Sequence, residues 1–512
     1  MTARVDARAL VARVLDAGSW ISWDDSPQTP SSGPGAPAGS CYERDLAAAR
    51  RRTGYDEAVV TGEGTLCGRR VALVMCESSF LGGSIGTAAA ERLVRAAERA
   101  TGQGLPLLAA PASGGVRMQE GTTAFVQLAR VAAAVTRHRA AGLPFLSYLR
   151  HPTTGGVLAS LASLGHFTVA EPGALIGFLG PRVYEALCGE SFPPGVQTAE
   201  NLYAHGVIDA VVAVEEFGAV AARALDVLCA PRHATQRGRP GAAPAESGHP
   251  RSVPTDVPAW EAIERTRRDD RPGVRDVLRV GARDVTVLSG TGEGETEPGV
   301  VLALARFGTA PCVVVGQDRH GQRIRPLGPA GLRVARRGMR LAAELWLPVV
   351  TVIDTPGAAL SPEAEQRGLA GEIARCLADL IAVPAPTVSV LLGEGAGGAA
   401  LALLPADRVL CARHAWLSPL PPEGASVILH RTTDRASEMA QAQGVRSLDL
   451  LRDGIVDRVI AECPDAADEA EEFCGRVAGA LASELADLLD MDESARPAAR
   501  RHRTFDRWRP RA

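Results

Sequence analysis

The stretch Pro111-Ala-Ser-Gly-Gly-Val-Arg-Met-Gln-Glu-Gly121 decides the fold, because the chain repeats its frame later as Val352-Ile-Asp-Thr-Pro-Gly-Ala-Ala-Leu360. A second segment, His151-Pro-Thr-Thr-Gly-Gly-Val157, has a counterpart in Gly393-Glu-Gly-Ala-Gly-Gly-Ala399. Both pairs share one offset, 357 − 115 = 242 and 397 − 155 = 242. A third echo, His205-Gly-Val-Ile-Asp-Ala-Val-Val212 against Asp453-Gly-Ile-Val-Asp-Arg-Val-Ile460, is offset by 457 − 209 = 248. The six additional residues are expected around Pro419-Leu-Pro-Pro422. A repeat of this length is a duplicated domain, not a short-period solenoid unit. Two copies of one fold are expected, each with two glycine loops that follow apolar strands.

Working outward, each loop belongs to a strand–helix alternation. In the first copy, strands are expected at Arg70–Met75, Leu105–Ala110 and Pro144–Leu149. Helices are expected after Gly82-Gly-Ser-Ile-Gly86 to about Ala100, over about Arg117–Ala141, and from about Gly155. The second copy repeats the order, with strands at Pro311–Gly316, Pro348–Ile353 and Thr387–Leu392. Its helices are expected over Ala330–Leu345 and about Pro362–Leu380. This rhythm argues for right-handed βαβ crossovers and helix-covered sheets, an α/β class. Residues 1–229 read as the N-terminal domain, 230–258 as a Pro/Gly/Ser/Arg-rich linker, 259–490 as the C-terminal domain and 491–512 as a basic tail. A short helix is expected over 3–17, and Ser26–Ser40 reads as a mobile loop. The tail is read as solvated or interface-packing, or else as touching an anionic ligand or partner.

Composition narrows the class. At 512 residues, with 46% hydrophobic and 22% charged content, the chain is long enough for two or three domains with full cores. A net charge of −4 points to neither nucleic acid nor a membrane surface. Neither a signal core nor a membrane-length apolar run is present, so a cytoplasmic enzyme is the default. The ten cysteines form no Cys-x-x-Cys pair and read as reduced, mostly buried residues, so no metal site is expected. All 55 basic residues are arginine. Without lysine, a Schiff base and a P-loop lysine are both excluded. A biotin group, which needs a lysine amine, would have to be carried by another chain.

The glycine loops are where the chemistry is expected. A strand that ends in Ser113-Gly-Gly115, Thr154-Gly-Gly156, Pro356-Gly357 or Ala396-Gly-Gly398 and runs into a helix aims backbone N–H groups at one point. Paired N–H groups of this kind stabilise an oxyanion. One such loop alone is an ordinary tight turn; four in register across a duplication argue otherwise. Gly82-Gly-Ser-Ile-Gly86 lacks the spacing of a dinucleotide fingerprint. Glu120 and Glu171 could form an acid/base pair. The plainer reading makes Glu120 a helix-face residue and Glu171 the start of a turn. Arg117 could grip a phosphate, or serve a structural salt bridge.

These motifs carry a resemblance. Phe80-Leu-Gly-Gly-Ser-Ile-Gly86, Ser113-Gly-Gly-Val-Arg-Met-Gln-Glu120, Pro152-Thr-Thr-Gly-Gly-Val157, Ala170-Glu-Pro-Gly-Ala-Leu-Ile-Gly-Phe-Leu-Gly-Pro-Arg182 and His205-Gly-Val-Ile-Asp209 resemble the β subunit of the acetyl-CoA carboxylase carboxyltransferase. Val352-Ile-Asp-Thr-Pro-Gly-Ala358, Gly393-Glu-Gly-Ala-Gly-Gly-Ala-Ala400, Leu417-Ser-Pro419 and Pro422-Glu-Gly-Ala-Ser426 resemble its α subunit. The whole chain looks like a β–α fusion.

The resemblance implies two tandem ββα-superhelix domains of the ClpP/crotonase superfamily. It implies transfer of a carboxyl group from carboxybiotin to an acyl-CoA, giving malonyl-CoA from acetyl-CoA in fatty acid biosynthesis. It assigns Gly155 and Gly156 to an oxyanion hole for the thioester, and Gly397 and Gly398 to one for biotin. Gly114, Gly115, Gly357 and Ala358 are implied to bind substrate. The biotin carboxyl carrier and the biotin carboxylase are implied to be separate chains. A homodimer or larger symmetric oligomer is implied, with the active site between the N-terminal half of one protomer and the C-terminal half of another. The four-cysteine zinc ribbon of the bacterial β subunit is not matched, so no zinc is expected. Ser289-Gly-Thr-Gly-Glu-Gly-Glu295 replaces a His-Gly-Asp-Arg segment, and Gln317–Arg325 replaces a lysine-rich one with arginines that could bind phosphate or carboxylate. Three other readings stay open: a biotin-independent malonyl-thioester decarboxylase, a non-catalytic scaffold subunit, and a serine peptidase built on Ser113 and His151.

Overall fold

The computed structural model describes residues 5–25, 41–178, 180–230 and 257–491. The 26–40 loop, nearly all of the 230–258 linker and all but the first residue of the 491–512 tail lie outside the described residues. The rest groups into two compact units, one within Met1–Cys229 and Gly292–Gly294, the other within Ala230–Thr291 and Glu295–Ala512.

In the first unit the strands are β1 (Ile21–Ser22), β2 (Val59–Leu66), β3 (Arg69–Cys76), β4 (Leu107–Ala110), β5 (Phe145–Leu149), β6 (Thr153–Thr154), β7 (Phe167–Ala170), β8 (Ile176–Gly177) and β9 (Ala210–Val211). They form a sheet in the order β1-β2-β3-β4-β5-β7-β9, with β6 and β8 paired apart from it. The first three strands are antiparallel and the rest parallel. The parallel strands β4 and β5 are buried along their whole length, as expected for a sheet covered on both faces. Helix Thr87–Gly102 buries Ala89, Ala90, Ala96, Ala97 and Ala100, and these small residues let helix Gly121–Ala140 lie close beside it. Leu93, Val94, Leu128 and Val131 complete that layer over Val74, Leu107 and Phe145.

The second unit repeats the plan with β10 (Ala282–Leu288), β11 (Val300–Phe307), β12 (Ala310–Gln317), β13 (Val349–Thr355), β14 (Thr387–Ala396), β15 (Arg408–Ala412), β16 (Trp416–Ser418) and β17 (Arg458–Ile460). Its order is β10-β11-β12-β13-β14-β15-β17, with β16 on the far end of β14. The single strand β14 does what β5 and β6 do separately in the first unit. Mixed α/β sheets of this order in both halves form the tandem crotonase-like fold expected from the sequence.

Several expectations need correction. The helix expected over Pro362–Leu380 is two helices, Pro362–Gln366 and Leu369–Ala382, broken where Gly368 takes φ 78°. The six extra residues do not gather at Pro419–Pro422. Pairing of Gly177 with Thr154, and of Ser418 with Ala396, sets an offset of 418 − 177 = 241 there. The helices Ala199–Ala204 and Ser447–Arg452 are offset by 447 − 199 = 248. The helices Pro181–Cys188 and Pro422–His430 still start 422 − 181 = 241 apart, so the second copy gains its length between Pro422 and Ser447, where it forms an additional helix, Ala436–Ala442. All ten cysteines are free thiols, but only Cys76, Cys312, Cys376, Cys411 and Cys474 are buried. The exposed Cys41 and Cys188 lie at helix ends and Cys67 in the β2–β3 turn, where the chain cannot bury them.

Candidate functional site

The glycine loops match in geometry as they do in letters. Gly115 and Gly357 take φ 109° and 127°, and Gly155 and Gly397 take 67° and 69°. Such angles strain any residue with a Cβ, so glycine is required at all four positions. A hydroxyl closes each first loop. Ser113 Oγ accepts the Gly115 N–H at 3.1 Å, and Thr355 Oγ1 accepts the Gly357 N–H at 3.1 Å. Parallel bridges Ile85–Val116 and Leu327–Ala358 anchor the two loops alike. The pairings Ser113–Thr153 and Thr355–Gly395 bring each first loop against its second.

Within each copy, the second loop offers the bare backbone. Gly155 donates to Gly177 O at 3.2 Å, and helix Gly156–Ser160 starts immediately after it. Helix Gly397–Leu401 starts in the same way after β14. First-turn N–H groups have no acceptor inside their own helix, so Gly156 and Gly398 each open a turn of donors. A Cβ on Gly156 would fall 2.2 Å from Leu128 Cδ1, and one on Gly398 would fall 2.9 Å from Ile373 Cδ1. Both pairs are partly exposed, hence reachable.

Gly114 and Gly115 behave differently from expectation. The helix that follows them begins only at Gly121. The Gly114 N–H donates to Gly82 O at 2.9 Å and the Gly115 N–H to Ser113 Oγ. Their donors are used inside the fold, and their service is close approach: a Cβ on Gly115 would lie 3.9 Å from Gly156 N. The run Gly82–Gly86 packs against this loop, since a Cβ on Gly83 would meet Ala112 O at 2.0 Å. Packing, not nucleotide binding, explains those glycines.

The charged candidates resolve into supports. Arg117 is buried and pairs bidentately with Glu57, while its Nη2 donates to Ser84 O at 2.7 Å. This is the structural salt bridge, and it ties the first glycine loop to the segment that leads into β2. Glu120 is not a free helix-face residue: its carboxylate accepts the Thr87 N–H at 2.6 Å and the Tyr42 hydroxyl. Glu171 accepts the His151 N–H at 3.1 Å and opens a turn closed by the Ala174 N–H. His151 Nδ1 accepts the Leu175 N–H at 3.1 Å while Ser113 Oγ faces Gly115, so the structure gives the peptidase reading no support. The arginines of Gln317–Arg325 hold the protein's own acceptors: Arg319 pairs with Asp354, Arg323 with Asp269 and Arg325 with Glu297.

Sequence reasoning missed the polar network under the second pair. Gln317 Oε1 accepts the Asp354 N–H at 3.1 Å, and its Nε2 donates to Ala399 O at 2.8 Å, inside the glycine helix. Asp354 Oδ1 accepts the Glu394 N–H at 3.1 Å. Burial pushes the carboxyl groups of both Asp354 and Glu394 above their ordinary range, against the pull of nearby arginines. Asp354 and Glu394 lay inside quoted motifs, but no signal in the letters marked them as a pair. Among the described residues no three His, Cys, Asp or Glu side chains converge as a metal site, and no helix is long and apolar enough to cross a membrane.

The family model of the carboxyl transferase domain matches residues 37–500. The chain belongs to that family. This carboxyl transferase is 57% identical over 98% of both chains to a Mycobacterium tuberculosis protein named as a probable biotin-dependent acyl-coenzyme A carboxylase beta3 subunit. It is 38% identical, over 98% of its own length and 90% of the relative's, to the acetyl-coenzyme A carboxylase carboxyl transferase subunits beta/alpha of Salinispora arenicola. Its fold matches a crystal structure of the transcarboxylase 12S hexamer with hydrolysed methylmalonyl-coenzyme A bound, at TM-score 0.73, 22% identity, and coverage of 95% and 90%.

Proposed function

We propose that this chain is the carboxyltransferase component of a biotin-dependent acyl-CoA carboxylase, and that it carboxylates acetyl-CoA to malonyl-CoA. The observation that carries the reading is the pair of glycine sites built to one geometry in both copies. The reaction develops negative charge at two places, the thioester oxygen of the acyl-CoA and the ureido oxygen of biotin, and each calls for its own set of donors. Gly155 and Gly156 are assigned to the thioester, with the Gly156 N–H as the donor because that of Gly155 is held by Gly177 O, and Gly397 and Gly398 are assigned to the ureido oxygen. The bare backbone at Gly397 fits a close-approaching ring, because the nearest atom to a Cβ there would be the backbone Pro419 O at 3.5 Å. Gly114, Gly115, Gly357 and Ala358 act as walls whose missing bulk leaves room for substrate. Bound biotin supplies the carboxyl group and, once it is released, a nitrogen that accepts the α-proton, so the chain itself needs no side-chain base.

Residues 1–229 then serve as the β-like half and 259–490 as the α-like half. Because the chain has no lysine, biotin arrives on a separate carrier protein charged by a separate biotin carboxylase. The family resemblance supports a homodimer or larger symmetric assembly in the cytoplasm. Acetyl-CoA as substrate follows the name of the 38%-identical relative, while the 57%-identical one is named only for acyl-CoA.

The test is the reverse reaction: purified protein, malonyl-CoA and biocytin, following acetyl-CoA release. Biocytin-dependent release supports the proposal. Release without biocytin replaces it with the decarboxylase. Release from methylmalonyl-CoA alone corrects the substrate.

A further inference from the structure

Between the Gly397–Gly398 pair and helix Pro422–His430 lies an arginine that no motif marks. Helix Ala259–Thr266 packs Ala259, Trp260 and Ile263 against Ala396 and Trp416, directly under the glycine pair. Its last residue is pinned twice: Thr266 Oγ1 accepts the Trp416 indole N–H at 3.0 Å, and Thr266 O accepts Arg319 Nη2 at 2.7 Å. Arg267, the next residue, therefore leaves a rigid base. Its guanidinium spans two carboxylates. Nε donates to Glu394 Oε2 at 3.2 Å, and Nη1 and Nη2 donate to Glu423 at 2.6 and 3.2 Å.

The two carboxylates belong to the two segments that meet at the glycine pair. Glu394 is on β14, three residues before Gly397, and its strand partner is Trp416. Glu423 is in the first turn of helix Pro422–His430, which follows β16. Between them Pro419 O lies 3.5 Å from the place a Cβ on Gly397 would take. A planar cation with several fixed donors can hold two acceptors at a set separation, which an ammonium cannot. Arg267 is one-third exposed, so the pairs add little to global stability. What they set is local spacing.

We propose that Arg267 is a positioning residue for the second glycine site, acting through Glu394 and Glu423 to fix the gap between Gly397–Gly398 and helix Pro422–His430. The inference deepens the proposed function, since it makes Arg267 govern the fit of the carboxyl donor and not of the acyl-CoA. The first copy has Pro152 where the second has Glu394, so it holds no equivalent latch.

The experiment compares wild type, Arg267→Met, Arg267→Lys and Glu423→Gln as full chains in the malonyl-CoA and biocytin assay. Arg267→Met should raise the KM for biocytin about tenfold, with the KM for malonyl-CoA within about twofold of wild type. Arg267→Lys should recover part of the loss, and Glu423→Gln should shift the same constant by less. An unchanged biocytin KM, or equal rises in both constants, overturns the inference. Hydrogen exchange decides it independently of activity. Amides of 397–401 and 423–430 should exchange faster in Arg267→Met, and unchanged protection there overturns the latch. A wild-type protein inert with biocytin sinks the functional reading alone, and the exchange result still settles the latch.

Discussion

Set side by side, the two copies hold the same glycine backbone on different foundations. Where the first has Cys76 opposite Val59, the second has Gln317 opposite Val300. Ala112 precedes Ser113 as Asp354 precedes Thr355, and Pro152 precedes Thr153 as Glu394 precedes Gly395. Three apolar supports thus face three polar ones, yet the glycine φ angles and the hydroxyl closures agree. Conformation at the loops is dictated by local requirements, a left-handed angle and one hydroxyl, that tolerate either foundation. What the foundation changes is the field beneath the site. The second pair rests over the buried Asp354 and Arg319, and the first over Cys76, Ala112 and Pro152, with the buried Arg117–Glu57 pair to the side and Arg150 donating to Cys76 O.

The largest expected effect would break or establish the division of labour. Gly156→Ala and Gly398→Ala should each slow the reverse reaction by about 10²–10³-fold, the scale of losing an oxyanion donor. They should differ in binding. Calorimetric titration with malonyl-CoA should show affinity reduced in Gly156→Ala and retained in Gly398→Ala. The opposite pattern would exchange the two assignments, and loss in both would merge the sites into one.

Next comes the foundation itself. Asp354→Ala writes the first copy's residue into the second. It leaves the buried Arg319 without its carboxylate and the Glu394 N–H without an acceptor. Breaking a buried pair from one side costs about 3–5 kcal/mol. Because Arg319 keeps Thr266 O and Arg268 O as acceptors, the low end is expected, about 3 kcal/mol. Urea unfolding followed by hydrogen exchange would localise the loss to the second copy's core. A change below about 1 kcal/mol would mean that the polar foundation is dispensable.

Acid should separate the copies further. His138 in the first copy is fully buried, and burial pushes its imidazole down to about 4. The unfolded chain takes up that proton below about pH 6.5 while the folded one refuses it, so stability falls between about pH 6.5 and 4. The loss is on the order of 2–3 kcal/mol. Glu462 in the second copy runs the other way. Burial would raise its carboxyl, but hydrogen bonds from Arg271 and His414 outweigh burial and hold it far below the usual range. Its contribution is intact above the unfolded value of about 4.3 and is lost only as pH falls below that. Between pH 6.5 and 4.5 the first copy's urea midpoint should drop while the second's holds, and His138→Gln should flatten the first. Parallel slopes would refute the assignment.

How much of this the letters disclosed depends on whether a residue acts locally. The glycine loops were legible, since each is a strand end, a glycine and a helix start adjacent in sequence; the Ser113 and Thr355 hydroxyls that close the first loop of each copy were not read, although they lie only two residues from the glycines they bind. The buried strands were legible because parallel sheets need unbroken apolar runs. The additional helix Ala436–Ala442 was not, although Gly444 follows it at φ 62°, since it has no counterpart in the first copy to reveal it. Arg267 was invisible, because its partners lie 127 and 156 residues away and nothing in its own neighbourhood marks it. The same holds for Gln317, whose partner in the glycine helix is 82 residues on.

The smallest effect is the sharpest test of a shared backbone. Alanine at Gly155 or Gly397 meets only ordinary contacts, 3.4 Å to Gly115 Cα in one copy and 3.5 Å to Pro419 O in the other. Steric collision therefore contributes nothing that differs between them, and the cost is the positive-φ backbone alone, about 1–3 kcal/mol. If backbone conformation is independent of what lies beneath it, Gly155→Ala and Gly397→Ala should lower stability equally, within about 0.5 kcal/mol in urea titrations. A second-copy variant much cheaper than its first-copy twin would mean that the polar network lets its loop relax. The two foundations would then differ in stiffness as well as in charge.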